Sequence, residues 1–84
     1  MPVLARFYGL IIRMYFMNAE HNPPHFHVQY GEYAAAIEID SLEICDGSLP
    51  NRAYQLAVEW ARQHQDELRR IWETQEFIQL PPLE

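Results

Sequence analysis

Near residue 50 the hydrophobic pattern of this chain changes its period. Upstream, apolar and polar residues alternate one by one, as in His25-Phe26-His27-Val28-Gln29-Tyr30. Downstream, one stripe runs through positions 53, 56, 57, 60, 61, 64, 68, 71 and 72. A period of two sends successive side chains to opposite faces of a strand, whereas a period near 3.6 keeps to one face of a helix. Strands followed by helix predict an α+β fold. The expected architecture is a small antiparallel sheet of three to four strands with one long C-terminal helix packed on one face. A chain of 84 residues folds to a surface of roughly 5,200 Å², burying about 64% of what it exposes unfolded. That is enough for one small core, so residues 1–84 read as a single domain. Strands are expected over about 6–45, the helix over about 51–75, and an irregular tail over 76–84.

The strand half has internal punctuation. Arg6 to Phe16 is dense in aromatic and β-branched residues and reads as one strand, with a bulge at Gly9. Asn18 to Pro24 is a turn, because its Asn residues and Pro pair cannot continue a ladder. His25 to Tyr30 and Tyr33 to Ile39 alternate as two further strands, joined at Gly31-Glu32. Leu42 to Cys45 reads as a short fourth strand ended by Asp46-Gly47. In the helical half, Trp60 and Trp72 are expected in packing, Tyr54 in solvent, and His64 as a buried imidazole with a partner. Cys45 is expected as a small buried hydrophobe.

Charge bounds the partners. Twelve acidic residues against six basic ones, all arginine, give a net charge of −6. Such a chain is a poor general binder of a phosphate backbone, although a local arginine patch can still serve RNA. A basic protein partner or a small ligand fits the balance better. No apolar run approaches the roughly 18 residues needed to cross a bilayer, so no membrane role is expected. The start lacks a signal-peptide pattern, and the single cysteine cannot form an internal disulfide; a cytoplasmic, reduced setting is the expectation.

The chemical signal is His21-Asn22-Pro23-Pro24-His25-Phe26-His27, three imidazoles within seven residues. His25 and His27 are two apart on a strand and share a face. Phe26, Val28 and Tyr30 are expected beneath the helix, which leaves both histidines on the face the helix does not cover. Phasing the first strand puts Leu10, Ile12 and Met14 inward and Arg13 and Tyr15 outward; phasing the third puts Glu38 outward. Three readings stay open. The histidines are plain surface residues. Or His21, His25 and His27 form a metal site, for which three neutral imidazoles suit Zn²⁺ or Ni²⁺. Or His25 and His27 act as acid and base on a phosphodiester, with Arg13 steadying developing charge and Tyr15 assisting, a mechanism that requires no cofactor.

The run Arg6-Phe7-Tyr8-Gly9-Leu10-Ile11-Ile12-Arg13-Met14-Tyr15, followed by His21-Asn22-Pro23-Pro24-His25-Phe26-His27-Val28-Gln29-Tyr30-Gly31-Glu32, resembles a bacterial family of short proteins called domain of unknown function 4160. Leu49-Pro50-Asn51-Arg52-Ala53, Glu59-Trp60-Ala61 and His64 match its helical half. The resemblance covers roughly positions 2 to 75. It implies a small cytoplasmic protein, often encoded beside another short protein, and hence a toxin–antitoxin component with a protein partner encoded nearby. It supplies no catalytic residues. Two functions follow as expectations. One is a histidine-based RNA-cleaving toxin. The other is a non-catalytic protein-interaction module whose histidines are structural or bind a metal. A homodimer, formed through an edge strand or an overhanging helix, is compatible with either.

Overall fold

Tyr8 and Gly9 divide the first apolar run in two. Both have positive φ, 47° and 84°, the conformation of a two-residue hairpin turn whose twist matches its strands. The computed structural model, which describes residues 3–15 and 23–84, therefore begins with a hairpin: β1 (Val3–Phe7) and β2 (Leu10–Arg13). β3 (His25–Tyr30), β4 (Tyr33–Glu38) and β5 (Ile44–Ser48) follow. All neighbours pair antiparallel in the order β1-β2-β3-β4-β5. The α+β class holds, with five strands in place of three or four.

Two boundaries explain the extra strands. The turn at Tyr8-Gly9 replaces the expected bulge and resets the phase, so Phe7 and Leu10 both face inward across the hairpin. At the far side, Asp46-Gly47 continues a strand instead of ending one. Ala36 pairs with Asp46 and Ile37 with Ile44, which leaves Cys45 as the extra residue of a bulge.

The single long helix is also corrected. α1 (Asn51–Gln63) and α2 (Gln65–Thr74) are separated at His64, whose φ of −129° leaves the helical region. No Gly or Pro stands there, so the break is set by tertiary contacts. His64 is buried against Trp60, and its Nδ1 lies 2.7 Å from Glu67 Oε1. Gln65 Nε2 donates to the carbonyls of Ile39 and Asp40, and Arg69 pairs with Asp40. Asp66 and Glu67 stand in the first turn of α2, where carboxylates suit the positive end of the helix dipole.

Both helices cover one face of the sheet. Leu4, Phe7, Leu10, Ile12, Met14, Phe26, Val28, Ile37 and Ile39 meet Ala57, Trp60, Ala61, Leu68 and Ile71 there. Trp60 is fully buried against Phe7 and Phe26. Tyr54 is anchored, not solvated: its hydroxyl donates to Leu42 O at 2.6 Å. The tail beyond α2 has no helix or strand. It returns to the edge strand, where Leu80 N–H donates to Leu4 O at 2.7 Å and Trp60 Nε1 donates to Pro81 O at 2.8 Å. No described helix is long and apolar enough to cross a membrane.

Candidate functional site

The opposite sheet face carries the residues singled out from the sequence. Register aligns them in rows across the strands. One row runs Val3, Arg13, His27, Ala36, Asp46. The next runs Arg6, Ile11, Gln29, Ala34, Ser48. On the other side of His27, His25 stands opposite Glu38. Strand alternation puts these side chains away from Phe26, Val28 and Ile37, which are buried beneath the helices.

His27 sits at the centre, half-buried. The Tyr15 ring packs on it at 4.1 Å between centroids, and the His25 ring meets it edge-on at 5.1 Å. Burial, and then the neighbouring His25, push the His27 pKa below its ordinary 6.5; Asp46 pulls the other way. His27 is thereby favoured as a neutral imidazole at pH 7. Arg13 lies across the ladder from His27, and its Nη1 donates to Gln29 Oε1 at 2.8 Å.

His25 has a different environment. It is only 8% exposed. Its Nδ1 lies 2.9 Å from Pro23 O. A carbonyl only accepts, so Nδ1 carries the proton and Nε2 the lone pair of the neutral ring. The indole of Trp72, on the last turns of α2, closes over His25 at 5.1 Å between centroids. The two imidazoles share a face of the sheet, but α2 caps one of them.

Two hollows flank His27. A small one of about 60 Å³ is lined by Ile11, Arg13, Tyr15, His27, Val28, Gln29, Ala34 and Ala35. A larger one of about 360 Å³ is lined by Pro23, His25, His27, Ala36, Cys45 and Asp46. Arg13 and Tyr15 thus border the first, His25 borders the second, and only His27 borders both. His21 lies outside the described residues. Among those described, no three His, Cys, Asp or Glu side chains are grouped to hold a metal ion.

Several site residues escaped the sequence. Cys45 is exposed, not buried, because the bulge turns it toward the larger hollow, where its Sγ contacts Ala36 O at 3.5 Å. Partial desolvation of the sulfur at the strand surface, and then Glu38, raise its pKa, so it is held as the thiol. Asp46 reaches the same hollow once Gly47 lets the strand continue. Ala34 and Ala36 floor the face as small residues beside the long side chains of β3. The run Ala34-Ala35-Ala36, three small residues inside a strand, was the signal that marked this floor. The charges are divided as well. No Arg or Lys occurs between Arg13 and Arg52, so Arg6 and Arg13 stand on the β1–β2 side of the face and Glu38 and Asp46 on the β4–β5 side.

Comparison with curated proteins and with solved structures returns no match. A family model does match, over residues 9–73, which include β2 to β5, α1 and nearly all of α2. With the RFYG turn partly inside that span and the histidine strand wholly inside it, the chain belongs to the family described as domain of unknown function (DUF4160).

Proposed function

We propose that this chain is a non-catalytic protein-interaction module that docks through its uncovered sheet face. One observation carries the reading: long side chains on β3 stand beside an alanine-floored trough on β4, with arginines to one side and carboxylates to the other. That relief and that charge pattern suit a protein surface laid across the strands. The acid–base alternative wants two accessible imidazoles and a cation around one reacting centre. Here Arg13 and His25 border different hollows, and Trp72 covers His25. The toxin–antitoxin role implied by the family resemblance needs a docking surface whichever member of the pair this chain represents.

A second reading keeps RNA cleavage. It is favoured by His27, which is biased toward the neutral form and lies across the ladder from Arg13. A neutral imidazole can take the proton of a ribose 2′-hydroxyl as that oxygen attacks phosphorus, while Arg13 holds the phosphate and His25 Nε2, once protonated, returns a proton to the leaving oxygen.

Two assays on the full chain separate these readings. Coexpression with the product of the adjacent gene tests docking, using the wild type and Ala34→Arg, which places a long cation in the trough. Incubation of the purified chain with RNA, with and without chelator, tests cleavage. Docking predicts copurification that Ala34→Arg abolishes, and RNA that stays intact. Cleavage that disappears in His27→Ala would overturn the module in favour of the enzyme.

A further inference from the structure

Resting on that reading, the relief and charge of the uncovered face point to a specific occupant. We infer that it is a second copy of this chain, packed face to face about a two-fold axis that runs along the strands between β3 and β4. Such an axis carries β3 of one copy over β4 of its partner, and β2 over β5, while each cross-strand row meets its own copy. The register then fixes the contacts. His27 falls over the partner's Ala36 and Gln29 over the partner's Ala34, so each long side chain enters a trough floored by a small one. Arg13 falls over the partner's Asp46.

A two-fold axis across the strands, through the His27 row, sets each strand on itself. It stacks His27 on His27, Arg13 on Arg13 and Asp46 on Asp46, which pairs bulk with bulk and like charge with like charge. A uniformly basic partner would be repelled by Arg6 and Arg13, and a uniformly acidic one by Glu38 and Asp46. A face with both signs, divided across its centre, is matched by its own reverse.

Size sets the strength. The axis overlays β2 to β5, four strands of four to six residues spaced about 4.8 Å apart, a footprint of roughly 330 Å² per copy. Doubled, that lies below the roughly 1,000 Å² of a stable interface, so the dimer is a transient one that forms and dissociates with concentration.

Sedimentation velocity on the intact chain, from about 10 µM to about 1 mM, spans the affinity range such a contact supplies. The expected result is a reversible monomer–dimer equilibrium. Arg13→Asp and Asp46→Arg each set like charges against each other at two symmetric positions and are expected to weaken it at least about tenfold. The double variant Arg13→Asp/Asp46→Arg re-forms both pairs and is expected to recover the wild-type constant within about threefold. Circular dichroism establishes that each variant is folded, and Asp46 is exposed, so its replacement leaves the core intact. A wild type that stays monomeric throughout overturns this inference. If that monomer still copurifies with the adjacent-gene product through the same face, the docking module itself stands. A dimer indifferent to all three variants overturns the proposed contact.

Discussion

Gly47 shows how one residue admits a strand. Its φ is +75°, and a Cβ there would lie 2.2 Å from Ala34 O and 2.9 Å from Ala35 Cα. The backbone of β5 approaches β4 more closely than any side chain permits. Gly47→Ala is therefore expected to cost more than about 2 kcal/mol, read as a lower urea midpoint with an unchanged slope. His27 gives a second residue-scale expectation. Its folded pKa lies below 6.5, so between that lowered value and 6.5 the folded chain binds fewer protons than the unfolded one. The contribution is complete above pH 6.5 and is lost as pH falls through the folded value. An imidazole titration followed by NMR should place the His27 midpoint below 6.5, and His27→Gln should flatten the acid side of the stability curve. A midpoint above 6.5 would contradict the buried, His25-flanked environment.

Among the elements, the tail is the least regular and still structural. Leu80 and Leu83 are buried, and Pro81 O is the acceptor for the indole of Trp60. Removing residues 79–84 strips two leucines from the core and leaves the Trp60 N–H without that partner. A loss of about 3–6 kcal/mol follows, visible as a large fall in Tm. Elements also differ in how legible they were. β3 and the inward edges of β2 and β4 followed from alternation alone, because burial on one face writes a period of two. The apolar stripe of α1 and α2 followed from the period of 3.6. The hairpin at Tyr8-Gly9 was hidden inside an unbroken β-favouring run, since the turn is made by backbone conformation and only Gly9 hints at it. β5 was cut short because Asp46-Gly47 is also the signature of a turn; what decides is how near β4 comes. The break at His64 has no local marker, being imposed by Glu67 and by the ties from Gln65 and Arg69 to Ile39 and Asp40 in the turn after β4.

Across the whole fold, both described helices pack on one sheet face and reach the other only where Trp72 meets His25. A face left open in this way is usual in antiparallel sheets, so freedom alone assigns nothing; the relief and the division of charge do. Phasing anticipated which residues share the face, namely Arg13, Tyr15, His25, His27 and Glu38. It did not anticipate that Trp72 caps His25, because the reach of α2 past the end of β3 depends on where the helix breaks. Nor did it reveal the trough, which needs the register of β4 against β3. We propose that this face receives a protein. Methyl NMR tests it directly, because alanines stand on both sides of the sheet: Ala34 and Ala36 line the hollows of the β3–β4 face, whereas Ala53 and Ala57 of α1 are buried in the core. As the chain is concentrated, or titrated with the adjacent-gene product, the Ala34 and Ala36 methyl signals should shift while those of Ala53 and Ala57 stay in place. Shifts confined to the exposed sides of α1 and α2, with Ala34 and Ala36 unmoved, would contradict it.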